Sequence, residues 1–477
     1  MTSAPPRPAT AGSASISSAN NDDADHVVNN VADLALRRNP RHAAQDLVPV
    51  LSEDMIAREF VDRHEHVIRF DVTSDRWCIW DDTRWKPDET TAAAEWTRNL
   101  MREIAADQDA GDRRRVGSLK FRNGVEGFAK TDQRIVVRRD HWDADLDLIG
   151  TPNGIVNLVT GELVDPEPDY FITRSVSVDP DLAAECPRWL SFLNQLTNGD
   201  AALRAFLQEW AGYSLTGETK EQKLVFIHGP GGTGKSTFAN IILRIAGDYG
   251  MNAAMETLAD SKFEQHPEQL ARLDGPRMVV AGETEAGHKI RENRIKLLTG
   301  GDKITARFMR QNSFDFMPKF KLTFLGNHQP QIANLDDAIR RRFIVVPFIH
   351  RPAEPDFGLE EALMAEAPGI LRWMLRGAEE WYRRGKLILP KAITEATTRY
   401  FDDQDLLGQW IEEFCEVGAT KFDRAHDLFT SWSHFATANG IPAGTAAGFK
   451  QMMSYRGFES KQSKVFQTKA YFRIKLK

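Results

Sequence analysis

The sequence predicts an α/β fold, on three observations. Four short apolar runs, "KLVFIHG", "PRMVVAG", "KFKLTFLGN" and "RRFIVVPF", are long enough for strands but lack the alternation of a half-exposed sheet, so they read as buried strands. Helical spacing precedes the first of them in "CPRWLSFLNQLTNGDAALRAFLQEWAGYSLTG" and resumes from Phe238 after it. The flanking regions are patterned differently. Upstream, "VIRFDVTSDRWCIWDDTRWKP" alternates like a Trp-rich hairpin pair, and "AAAEWTRNLMREIAAD" is helical. Downstream, "GLEEALMAEAPGILRWMLRGAEEWYRRG" is helical, and the last segment reads as three helices and then two strands around a basic loop, "GFESKQSKVFQTKAYFRIKL".

These shifts divide the 477 residues into a Pro-, Ala- and Ser-rich disordered tail (1–45), an α+β domain (46–180), the α/β core (181–355), a helical connector (356–404) and a winged-helix-like end (405–477). Hydrophobic content of 42% and charged content of 27% are ordinary for a globular chain. The net charge of −7 argues against a general polycation, yet residues 286–351 carry thirteen Lys or Arg against five acids, a local +8. Three widely spaced cysteines make neither a disulfide framework nor a metal set and fit a reduced compartment. No apolar run approaches the ~20 residues that span a bilayer, and the N-terminal residues have no secretory pattern. A cytoplasmic location is therefore expected, in a bacterial host if a phage or plasmid encodes the chain.

"LVFIHGPGGTGKSTFANIIL" carries the most specific chemistry. Residues Gly229, Pro230, Gly231, Gly232, Thr233, Gly234, Lys235 and Ser236, with Thr237 after them, fit G-x-x-x-x-G-K-[ST] between a strand and a helix. Glycines let backbone N–H groups turn inward on phosphate, Lys235 neutralises β/γ-phosphates, and Ser236 ligates Mg²⁺. A nucleoside triphosphate with Mg²⁺ is the expected cofactor. The next apolar strand ends in Glu283 and Glu285, where one acid can hold the metal and the other polarise water. The one after that ends at Asn327, placed to sense the γ-phosphate or to orient water. Between them, "KITARFM" and "FDFMPKFKL" read as a hairpin carrying Lys303, Arg307 and Arg310. Last comes the arginine row Arg340, Arg341 and Arg342.

In this order and spacing, "GPGGTGKST", "RMVVAGETE", "KLLTGGDKITARF", "FKLTFLGNHQP" and "DDAIRRRFIVVPF" resemble the superfamily 3 helicases, above all those of phage, plasmid and poxvirus primase–helicases. "HWDADLDLIGTPNGIVNLVTGEL" resembles the domain that precedes the ATPase in that branch. The resemblance implies an AAA+-like P-loop ATPase core, Mg²⁺-ATP at Gly229 to Ser236, acids at Glu283 and Glu285, and a sensor at Asn327. It further implies an arginine finger at Arg341 or Arg342, a pore hairpin whose Lys303, Arg307 and Arg310 face DNA phosphates, and a homo-oligomeric ring, usually a hexamer, on single-stranded or forked DNA. The C-terminal winged helix could bind duplex or dock other replication proteins. Asp143, Asp145 and Asp147 fall in the pre-ATPase match, so a helicase without primase activity is expected. A replication initiator or loader that binds DNA without processive unwinding is the alternative. A nucleotide kinase is disfavoured, because no phosphoacceptor pocket is visible beside the hairpin and winged helix.

Overall fold

The computed structural model describes residues 51–181, 183–254, 267–282, 289–290, 292–310, 312–332, 336–352 and 354–477. The expected tail, residues 1–45, lies outside them.

The four apolar runs and a further strand that no apolar run announces, Gly250–Ala253, assemble into one five-stranded sheet: β1 (Leu224–His228), β2 (Gly250–Ala253), β3 (Met278–Ala281), β4 (Lys321–Gly326) and β5 (Phe343–Pro347). Their order is β5-β1-β4-β3-β2, and every neighbouring pair is parallel. All of β3 and β4 is buried, and so is all of β1 except half-buried His228, which explains the missing alternation. Lys321 is buried too. Its ammonium donates to the carbonyls of Thr216 and Lys319 and lies 5.0 Å from the centre of the Tyr213 ring. Burial holds its pKa well below the usual lysine value.

Helices cover both faces of the sheet. Helices Pro187–Leu196, Ala201–Leu215, Lys235–Ala246 and Ala367–Arg384 share one apolar cluster with it, and helices Glu292–Thr299 and Lys391–Gln404 share the other. Helix Ala201–Leu215 is less amphipathic than its spacing predicts. Everything from Glu209 to Leu215 is buried, because helix Ala367–Arg384 lies along it. The segment expected as a connector thus packs into the core, and helix Lys391–Gln404 places Thr397 Oγ1 to accept the Val345 N–H at 3.0 Å.

Upstream, helices Glu53–His64, Ala92–Ala106 and Leu119–Ala129 pack on a four-stranded sheet in the order 85–87, 76–80, 68–71, 136–137, giving the expected α+β character. Arg277, 1% exposed, ties this region to the core by donating to the carbonyls of Asp145, Leu146 and Leu215 at 2.9–3.2 Å. Lys319 donates to the Asp143 carbonyl at 2.6 Å.

Downstream, the expected three helices (Leu406–Phe414, Ala425–Ala438, Ala446–Tyr455) and two strands (Ser460–Gln462, Lys469–Leu476) gain a third strand, Cys415–Arg424. It pairs antiparallel with Lys469–Leu476, with a register shift between Val417 and Phe422. Of its ten residues only Cys415 is fully buried, so no apolar pattern marks it. Burial pushes the thiols of Cys78, Cys186 and Cys415 up to about 12, 11 and 12, which keeps them unreactive. Among the described residues, no helix is long and apolar enough to cross a membrane.

Candidate functional site

At the carboxyl edge of the sheet, His228 lies level with Gly326 of β4 and Pro347 of β5. Ligands of parallel α/β sheets bind at this edge, where adjacent strands send their connections opposite ways. Here β1 leads into the loop Gly229 to Gly234 and then into helix Lys235–Ala246. A Cβ on Gly229 would stand 1.8 Å from the Phe348 carbonyl oxygen, so only glycine lets the loop leave beside β5. Gly234, at φ +85°, turns the chain into the helix. No side chain caps that helix, which leaves its first-turn N–H groups and the positive end of its dipole at the loop.

Lys235 is 7% exposed and donates to the carbonyls of Gly229 (2.7 Å) and Pro230 (2.8 Å) and to Oδ1 of Asn327 (2.8 Å). Asn327 directly follows β4, so the parallel register brings two residues far apart in the chain into contact. Thr233 Oγ1 donates to the Pro230 carbonyl at 3.0 Å, Ser236 is exposed and Thr237 half-buried. Burial, followed by the charge of Lys235, holds the His228 imidazole below its ordinary value. Glu283 and Glu285 lie outside the described residues; β3 brings the chain to this edge as far as Gly282.

Beside the loop opens a cleft of about 350 Å³. Gly232, Thr233, Gly234 and Thr237 form one side, Arg188, Phe192 and Leu196 of helix Pro187–Leu196 another, and His350, Pro352 and Leu359 a third. Motif spacing missed this wall. The helix reads as ordinary amphipathic core, and only its contact with Gly234 reveals a second role.

The three arginines separate. Asp336 caps the short helix Asp337–Arg340 by accepting the Ile339 N–H at 2.9 Å, and it pairs with Lys296. The Arg340 guanidinium lies 5.0 Å from the centre of the Phe401 ring. Arg342 is 8% exposed and donates to the Ala338 carbonyl (3.0 Å) and Gln222 Oε1 (3.2 Å). Arg341 is exposed, and its side chain has no hydrogen-bond or ion-pair partner among the described residues. It precedes β5 at the amino edge, whereas the loop lies at the carboxyl edge. Five strand residues at about 3.3 Å each put them roughly 16 Å apart, beyond an arginine's reach.

The hairpin consists of strands Ile304–Ala306 and Phe314–Phe316. These are shorter than expected, so Lys303 precedes the first strand and Arg307 and Arg310 lie in the turn; all three are exposed. Arg310 adopts φ +61°, and Met309 beside it is 70% exposed. The Arg139 guanidinium, from the upstream domain, sits 3.9 Å from the centre of the Phe314 ring and pairs with Asp274 at 3.1 Å. Asp143, Asp145 and Asp147 do not converge. Asp143 accepts from Thr173, Asp145 accepts the Asp147 N–H at 2.8 Å, and Asp147 accepts the Tyr382 hydroxyl.

Residues 54–198 match the family described as D5 N terminal like, and residues 227–342 match a family of unknown function, DUF5906. Among curated proteins, "Putative helicase L207/L206" of Acanthamoeba polyphaga mimivirus is 27% identical over 293 residues, 56% of this chain and 30% of that protein. "Putative helicase 022R" of Frog virus 3 (isolate Goorha) is 25% identical over 294 residues, 57% of this chain and 30% of that protein. The chain thus spans less than a third of the length of these relatives. Among solved structures, the A form apo structure of the NrS-1 C terminal region aligns with a TM-score of 0.48 at 13% identity, over 88% of this chain and 98% of that one.

Proposed function

We propose that this chain is the ATP-driven motor of a D5-like DNA helicase of the superfamily 3 type, acting on single-stranded or forked DNA as a homo-oligomeric ring, a hexamer. The observation that carries this reading is the 2.8 Å contact between Lys235 and Asn327 at the carboxyl edge of the sheet. It joins the loop after β1 to the end of β4, and β3 carries the chain toward the same edge. The D5-type region and the helicase-named relatives support the reading from outside the site.

The residues fit Mg²⁺-ATP: an uncapped helix start, a buried lysine on carbonyl oxygens, an exposed Ser236, and a cleft that suits the nucleoside. The backbone from Gly229 to Thr237 receives the phosphates, and Lys235 trades its carbonyl partners for β/γ-oxygens. Ser236 and Glu283 would hold the metal, and Glu285 would accept a proton from the attacking water. A bound Mg²⁺ would supply charge neutralisation for the phosphates. Asn327 links the γ-phosphate to Lys235 and β4, and Arg341 completes the site of the neighbouring subunit. The test is strand displacement on a forked duplex with a single-stranded tail. ATP-dependent displacement, lost in Lys235→Ala, is expected; ATP-dependent binding without displacement would instead mark a loader.

Lys303, Arg307 and Arg310 make sequence-independent phosphate contacts in this scheme. Arg310→Ala is expected to weaken single-strand binding and to reduce its log–log salt slope by about 0.7, one contact's worth. Basal ATPase activity should not change. Anisotropy across a salt series reads both, and an unaltered slope would count against the hairpin.

A further inference from the structure

The upstream domain holds a cleft of its own, within the region matched as D5 N terminal like and apart from the loop after β1. Its volume is about 440 Å³, and it opens where strand Arg76–Trp80, the start of helix Ala92–Ala106 and helix Leu119–Ala129 meet. The half-buried ring of Trp77 lines it, held by edge contacts with Phe60 and Phe70 whose centroids are 6.1 and 5.0 Å away. Arg122 and Glu126, one turn apart on helix Leu119–Ala129, line it as well. Arg122 Nε and Glu126 Oε1 stand 3.4 Å apart as an ion pair, yet both atoms are buried with no hydrogen-bond partner among the described residues. Buried polar atoms are almost always hydrogen-bonded, so an open donor beside an open acceptor is what a ligand with the opposite pair can use.

The lining carries four Lys or Arg and four Asp or Glu, so its charges balance. A polyphosphate would find no net attraction there. The helix start is also taken, because Asp88 accepts the N–H groups of Thr90, Ala92 and Ala93 at 2.9–3.1 Å. What fits is a neutral flat ring with an acceptor and a donor side by side on one edge. We propose that this cleft binds an unpaired guanine, as a free nucleotide or within a single strand. The base stacks on Trp77, Arg122 donates to its O6, and Glu126 accepts from its N1–H and N2–H. Guanine suits best because it sets one acceptor beside two donors, which match an arginine fork and the two oxygens of a carboxylate. Adenine and cytosine offer the carboxylate a single amino group, and the one N–H of thymine lies between two carbonyls that repel it. Exposed Arg76 lines the same cleft and can meet a phosphate next to the base.

The test is anisotropy of the full chain with labelled single strands: thymine alone, or the same strand with one central guanine, adenine or cytosine. Sequence-independent phosphate contacts elsewhere are equal for all of them, so the differences report the cleft. The parent should bind the guanine strand about tenfold more tightly than the others. Glu126→Gln is nearly isosteric but puts a donor in place of one acceptor. It should abolish the preference while leaving thymine-strand binding and the thermal midpoint unchanged. Arg122→Met, an independent variant, should do the same. Calorimetry with GMP, in the Lys235→Ala background to silence the loop after β1, separates the two sources. GMP binding that Glu126→Gln removes marks a free nucleotide, whereas a guanine preference in strands without GMP binding marks a strand. Equal binding of all the strands with no GMP binding overturns the proposal. So does guanine recognition, in either form, that both variants leave intact. Neither result bears on the motor, whose strand contacts the thymine strand reads separately.

Discussion

Arg341→Ala is expected to leave ATP binding intact and to cut hydrolysis by the assembled protein about 10³-fold or more, the scale at which arginine fingers act in GTPases. The geometry distinguishes this residue from its neighbours. Arg342 spends its guanidinium on Ala338 and Gln222 inside its own subunit, and Arg340 lies over Phe401. Arg341 alone of the three is exposed with a free planar fork, and it stands at the sheet edge opposite its own loop. This placement suits the proposed role at a neighbour's site. Arg342→Ala should act differently, lowering the thermal midpoint by removing a buried guanidinium that holds the Ala338 carbonyl and Gln222 Oε1. Equal ATPase losses in the two variants, with no difference in midpoint, would remove this distinction.

Lys235→Ala is expected to abolish hydrolysis, with a loss of at least 10²–10³-fold, the scale for removing one preorganised donor to a developing oxyanion. ATP affinity should fall as well, because the variant removes the buried ammonium that the loop holds where the phosphates would lie. Measured ATP binding by Lys235→Ala at parental strength would place the nucleotide elsewhere. The two variants also test each other. Each has what the other lacks, so mixed subunits should regain hydrolysis that neither shows alone. A mixture as inert as its parts would mean that Arg341 does not work across an interface.

Much of this site was legible because its parts are local. An apolar run, a glycine loop and a helix occupy adjacent positions, and β3, β4 and β5 announce themselves as apolar runs, whereas β2, with Asn252 exposed, does not. Asn327 was readable as a strand terminus, although its contact with Lys235 depends on β1 and β4 being neighbours. Features that depend on non-local packing were not legible. The row "RRR" looks uniform in sequence, and only the cap at Asp336 and the position of Gln222 decide which member is buried. Phe192 and Arg188 gave no sign of flanking the loop. Lys321 sits in an apolar run without betraying that it is buried. Strand Cys415–Arg424 is invisible to apolar patterning because its partner strand, rather than a core, holds it in place.

The central claim is that this chain hydrolyses ATP between subunits and in response to DNA. The most direct measurement is ATPase activity with and without single-stranded DNA, with particle size determined in the same buffer over a dilution series. The expected result is hydrolysis that single strands stimulate, that resides in a ring-sized species and that disappears as the species dissociates. A monomer that hydrolyses ATP equally fast at every dilution, indifferent to DNA, would contradict it.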